Sequence, residues 1–194
     1  MCAHVSDYIR EYYPEYYRWL DYPAEDVVVI NKADEEWGIL GNFGRTPLVV
    51  DGVPFYASES LFQVMKFTDP DARKAVHAWK GLRLKKVARH YENTVGPRPD
   101  WGRIIVDALK FCLMTKYGQS EAFRTELART GNRTIVEKAH GRRADTYSAL
   151  LSADGTTWTG GNLMGRLLME LRATGKLEYH LPEDAMRFRD LAEE

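Results

Sequence analysis

Glu59, Gln63 and Lys66 stand at i, i+4 and i+7 in the stretch Ser58-Glu-Ser-Leu-Phe-Gln-Val-Met-Lys-Phe67. That spacing puts a carboxylate, an amide and an amine on one stripe of an α-helix. The remaining positions Leu61, Phe62, Val64, Met65 and Phe67 are apolar, so the helix is apolar almost all round and is expected to be buried. Buried polar groups are expensive unless they satisfy one another or a ligand. Seven residues span about 10 Å of helix axis, short enough for the long Glu and Lys side chains to converge on one small polar ligand. The same spacing describes a buried Glu–Lys ion pair that only tightens the fold. The residues alone leave both readings open.

Two glycine-rich stretches carry further candidates. Gly38-Ile-Leu-Gly-Asn42-Phe43-Gly44 packs three glycines around one amide and one ring. It lacks the dinucleotide-binding spacing, and it reads either as a backbone cradle for a ligand or as an irregular loop. Asp145-Thr-Tyr147 precedes Trp158-Thr-Gly-Gly161-Asn162, a glycine turn running into a helix start, which is a ready anion site. Arg142 and Arg143 beside His140 are either a phosphate contact or a solvated loop. Cys2, Cys112 and the five histidines show neither metal-ligand spacing nor a disulfide framework. No metal and no cofactor is expected.

The elements that must position these residues follow from periodicity and turn signals. The first 25 residues crowd aromatic side chains, and Ile9, Tyr12, Tyr13, Tyr16 and Leu20 follow helical spacing around Pro14. They are expected to form a helical extension docked by its tyrosines. Residues 27–31 read as a strand, and 46–56 as a hairpin around Asp51-Gly52. Ser58 is the expected cap of the Glu59 helix and Asp69-Pro70 its end. Further helices are expected over 72–79, 82–91, 101–117, 120–129, from Asn162 to Arg172, and over 183–192, with a strand over 134–139. The expected fold is therefore α+β, a mostly helical single domain with one small sheet.

Composition narrows the class. The 194 residues carry 27 basic and 28 acidic side chains, so no global basic field marks a nucleic-acid binder, although a local patch is allowed. There is no apolar run of membrane-spanning length and no signal-peptide pattern. A soluble, cytoplasmic protein with no membrane partner is expected.

Taken together these segments resemble the NADAR, or YbiA-like, family. The carrying residues are Gly38 with Leu40-Gly-Asn42-Phe43, Asp51-Gly52, Ser58-Glu59-x-x-Phe62-Gln63-x-x-Lys66-Phe67, and Trp101 before a long helix. Asp145-x-Tyr147 and Gly161-Asn162-x-x-Gly165-x-x-Leu168-Met169-x-x-Arg172 complete the set in order. One departure is Ser148, where the family carries Trp; Trp158 is the candidate to fill that space. The resemblance covers roughly residues 27–172, and the NADAR-like domain is expected over residues 26–194, beyond an extension of residues 1–25.

It also implies N-glycosidase chemistry. Two substrate classes come with the family: ADP-ribose on guanine in nucleic acid, removed as the antidote to a DNA-modifying toxin, and a phosphoribosylated pyrimidine of riboflavin synthesis. The first brings contact with DNA; the second is a small ribosyl nucleotide. A non-catalytic ADP-ribose reader is a third reading, against which the retention of both Glu59 and Lys66 argues. On this resemblance Glu59 stabilises oxocarbenium charge and serves as base, and Lys66 attacks C1′ of the opened ribose. Lys32 is a second lysine candidate. Asn42 and Gln63 hydrogen-bond ribose hydroxyls, while Phe43, Trp101 and Trp158 stack on base or ribose. Gly38, Asp145, Tyr147, Gly161 and Asn162 complete the binding residues, the helix start at Asn162 facing phosphate.

Overall fold

The computed structural model describes residues 5–192; Cys2 lies outside them. In chain order the elements are α1 (Val5–Tyr12), α2 (Pro14–Tyr17), β1 (Leu20–Pro23), β2 (Val27–Ile30), a 3-10 turn (Gly38–Leu40), β3 (Leu48–Val50), β4 (Val53–Phe55), α3 (Ser58–Met65), α4 (Pro70–His77), α5 (Gly81–Thr94), α6 (Trp101–Gln119), α7 (Glu121–Arg129), β5 (Thr134–Glu137), β6 (Ala149–Leu151), β7 (Thr157–Gly160), α8 (Leu163–Thr174) and two 3-10 turns (Glu183–Met186 and Arg189–Leu191). The fold is α+β and mostly helical. Among the described residues no helix is long and apolar enough to cross a membrane. The backbone divides into two compact units, each discontinuous in sequence: one from the chain up to Gly44 with Glu121–Leu177, the other from Arg45–Ser120 with the chain from Glu178 on.

In the first unit β7 is the centre of an antiparallel sheet in the order β1-β7-β6, and β2 pairs in parallel with β5. The N-terminal segment is helical only to Tyr17, and Leu20 opens an edge strand instead of closing a helix. Backbone pairing of Leu20–Pro23 with β7 outweighs the helical spacing of its side chains. Pro14 takes the first helical position of α2, where its missing N–H has no helical partner to lose. Tyr16 is the docking residue: its hydroxyl donates to Glu170 at 3.0 Å, and burial pushes the phenol's pKa up. The β6–β7 hairpin was not legible beforehand. Its turn is held by Asp154, whose carboxylate accepts from Ser152, from the Thr156 hydroxyl and from the Thr156 amide.

In the second unit α3 is wrapped by α4, α5 and α6, and every residue from Ser58 to Met65 is buried, as its apolar circumference demands. The hairpin β3–β4 turns at Asp51 (φ 53°) and Gly52 (φ 81°), the paired positive angles of the expected type I′ turn. Helix boundaries differ in detail. Ala57, not Ser58, is the N-cap of α3, and Asp69-Pro70 opens α4, the Asp69 carboxylate accepting from the Ala72 amide at 2.8 Å.

Instead of one small sheet the described residues form three, none wider than three strands. The expected C-terminal helix over 183–192 is two 3-10 turns separated by extended Arg187 (φ −96°, ψ 129°). Phe188 is fully buried and edge-on to Phe55 at 5.2 Å. The Phe188 amide donates to Asp51, and Asp190 and Asp184 pair with buried Arg73 and Arg98. These anchors outweigh local helix propensity.

Candidate active site

Helix α3 presents Glu59 on its first turn, 5 % exposed. Its Oε1 accepts from Gln63 Nε2 at 2.9 Å, the i, i+4 contact that the spacing anticipated. The cation nearest to it is Lys85 on α5, with Nζ at 3.8 Å. Lys85 is more than half exposed, so this pair contributes about 0–1 kcal/mol and leaves Glu59 an essentially buried carboxylate with one amide for company. Gln63 Oε1 is buried and has no hydrogen-bond partner. A buried orphan acceptor beside a buried carboxylate is a place where a hydroxyl donor belongs.

Lys66 follows at the C-cap of α3. Its Nζ bonds Glu92 Oε1 of α5 at 3.0 Å and lies 5.9 Å from the centre of the Trp101 ring. The Glu59–Lys66 ion pair allowed by spacing is thus not the pairing found: each of the two takes its partner from α5. Lys85 and Glu92 are themselves seven residues apart, so α3 and α5 run side by side in the same direction with complementary charges. Trp101, 3 % exposed at the start of α6, packs on Phe62 with ring centres 5.2 Å apart and walls the cluster. Glu92 and Lys85 are functional candidates that the sequence reading missed; the signal was there, an i, i+7 acid–base stripe on α5 that mirrors the one on α3.

Two other groups in this unit bear on reactivity. Cys112 Sγ donates to Met65 Sδ at 3.8 Å; burial, reinforced by the charge of Glu59, pushes its pKa well up, so it is an inert core thiol. Lys116 is fully buried on α6 and burial lowers its pKa to about 7. Its complete burial keeps it out of a substrate's reach.

The first unit holds the other candidates, and most of them are occupied with the fold. A Cβ on Gly38 would stand 2.3 Å from the Lys32 carbonyl, and one on Gly161 2.5 Å from that of Thr146; both glycines serve close backbone packing. Asp145 Oδ1 accepts from the amides of Tyr147 and Ser148 and from the Ser148 hydroxyl. Ser148, where the family has Trp, is therefore part of the turn. Trp158 sits in a core cluster with Tyr22, Val136 and Ala149. Lys32 is exposed and pairs with Glu35 at 3.3 Å, without the desolvation a nucleophilic amine requires. Asn42, Phe43 and Tyr147 are half-buried.

The helix start at Asn162 is not an open anion site. The amides of Gly161, Asn162, Leu163 and Met164 donate to the carbonyls of Asp145, Ser148, Thr146 and Tyr147, which uses up the donors that would face a phosphate. Asn162, fully buried at φ 48°, spends its side chain on β5, donating to the Ile135 carbonyl at 2.9 Å and accepting from the Glu137 amide at 3.0 Å. Asn162→Ala removes both of these buried hydrogen bonds, and losing the partner of a buried backbone group costs about 1–3 kcal/mol. We expect a loss of about 2–6 kcal/mol in urea unfolding; an unchanged midpoint would return Asn162 to the ligand-binding set.

The sequence model of the NADAR domain matches residues 29–174. The chain is 28 % identical over 169 residues to a riboflavin biosynthesis protein of Vibrio vulnificus, a match that covers 87 % of this chain but only 43 % of that protein; the chain thus spans less than half of that relative. It is also 28 % identical to the N-glycosidase YbiA of Escherichia coli K12 over 149 residues, 76 % of this chain and 88 % of YbiA. The solved NMR structure of E. coli YbiA superposes with a TM-score of 0.59, covering 80 % of this chain and 91 % of that one. With its Glu59–Lys66 helix and its Asn162 helix start inside the matched span, the chain belongs to the NADAR domain family.

Proposed function

We propose that this chain is an N-glycosidase that cleaves the bond between C1′ of a ribose and the nitrogen of a base, with ADP-ribose on guanine in DNA as its substrate. The observation that carries the chemistry is buried Glu59 beside Gln63, whose Oε1 is buried and unpartnered. As the C1′–N bond breaks, positive charge grows on the sugar. A carboxylate that is already desolvated stabilises that charge without reorganising. Gln63 Oε1 accepts a ribose hydroxyl and Glu59 is the base towards water or that hydroxyl. Lys66, held by Glu92 against Trp101, is the amine for a covalent route: its nitrogen bonds to C1′ of the opened ribose, the base leaves with a proton, and water hydrolyses the imine. Trp101 supplies a ring contact beside Lys66. The name of the E. coli relative supports the reaction class.

A second reading is a phosphoribosylated pyrimidine as substrate, favoured by the similarity to a riboflavin biosynthesis protein. Two parallel incubations separate them, one with DNA carrying ADP-ribosylated guanine and one with the phosphoribosylated pyrimidine, each with and without EDTA. Release of ADP-ribose from the DNA, seen by mass spectrometry, is the expected result. Among the described residues no group of three His, Cys, Asp or Glu comes together to hold a metal, so activity should survive the chelator. Tight binding of ADP-ribose with no release from either substrate would make the chain a reader instead.

A further inference from the structure

We propose that the outward face of α5 is a docking surface for the phosphate backbone of single-stranded nucleic acid, which it lays beside Glu59. The inference rests on the N-glycosidase reading and names the form in which that substrate arrives. Although the chain carries a formal net charge of −1, no Asp or Glu occurs between Ala72 and Tyr91, while Lys74, Lys80, Arg83, Lys85, Lys86 and Arg89 all do. A merely solvated helix face mixes both signs; on α5 the one acid, Glu92 in the last turn, is already paired with Lys66 at 3.0 Å. Helix α5 turns Leu84 and Ala88 inward and leaves Arg83, Lys85, Lys86 and Arg89 exposed. Arg83, Lys86 and Arg89 follow one another at i+3 and so form a strip about 9 Å long at 1.5 Å per residue.

The cations are also held in place by rings. The Arg83 guanidinium stacks 3.5 Å from the centre of Trp79, and Lys80 Nζ stands 4.8 Å from that of Tyr56. Aromatic faces among backbone-binding cations are what a strand with unpaired bases uses. The inner edge of the strip is Lys85, whose Nζ is 3.8 Å from Glu59. A strand tracked by α5 therefore runs past the buried carboxylate. An anionic membrane shares the charge complementarity but also needs an apolar insertion face, and the outward side of α5 offers only Leu82.

The test is a fluorescence-anisotropy titration of the full chain with a labelled, unmodified oligothymidylate over a range of salt concentrations. Binding should weaken with salt, log K falling against log salt by about 0.7 per phosphate contact. The double variant Lys86→Glu/Arg89→Glu should lose about tenfold or more in affinity and flatten the slope by about 1.4, two contacts' worth. The charge-matched variant Arg142→Glu/Arg143→Glu should bind like the wild type. No binding at low salt, an equal loss in both variants, or retention of the Lys86/Arg89 variant's affinity would overturn the proposal. Sedimentation with phosphatidylserine vesicles in place of DNA binding would overturn it too. Because the probe is unmodified, binding is scored without turnover: expected titrations with a chain that hydrolyses no ribosyl nucleotide would overturn the glycosidase reading alone.

Discussion

Glu59→Gln will lose about 10²–10³-fold in kcat on the N-ribosyl substrate, the scale for removing one electrostatic group from a transition state, while the fold and ligand affinity stay near wild type. Gln keeps the shape and an oxygen that can accept from Gln63 Nε2, as Glu59 Oε1 now does at 2.9 Å. What disappears is the negative charge that meets the developing oxocarbenium ion. The ion pair weakened is the long one to exposed Lys85, so stability in urea should fall by no more than about 1 kcal/mol. Single-turnover rates together with a substrate-analogue titration make the comparison. Turnover close to wild type would remove Glu59 from the mechanism.

The second large effect concerns Lys66. If its amine forms an imine with the opened ribose, borohydride added during turnover will trap an adduct whose added mass equals the reduced ribosyl fragment, ADP-ribose for the proposed substrate. Lys66→Arg keeps a cation for Glu92 and for the face of Trp101, 3.0 and 5.9 Å away in the wild type. It loses the nucleophile, because a guanidinium stays protonated. The variant should fold normally, trap nothing and turn over at least about 10²-fold more slowly. Peptide mapping should place the adduct on residue 66. Lys32 is solvent-exposed and paired with Glu35, and Lys116 is enclosed in the core, so neither meets the joint need for an accessible and desolvated amine. An active Lys66→Arg enzyme would leave Lys66 as a binding charge, with catalysis resting on Glu59 and water.

These two residues show where sequence reasoning reaches and where it stops. The helix from Ser58 to Met65, its burial, and the Glu59–Gln63 contact were legible because they are local: a 3.6-residue period decides which side chains share a stripe, and an apolar circumference decides that the helix is enclosed. The Asp51-Gly52 turn, the long helix from Trp101 and the helix after Asn162 follow from equally local rules of backbone angle and periodicity. The partners across helices were not legible. Spacing cannot say that Lys66 meets Glu92 and Glu59 meets Lys85, because that depends on how the apolar faces of α3 and α5 interlock. The Asn162 helix start looked like an anion site as a string of glycines, and only the fold directs four carbonyls of the 145–148 turn onto its amides. Trp158 looked like a stacking ring and became core, and residues 183–192 lost a helix to the burial of Phe188 and to Asp51, Arg73 and Arg98. Periodicity along one element is written in the sequence; the choice of neighbour is made by long-range packing, which a single chain of letters does not contain.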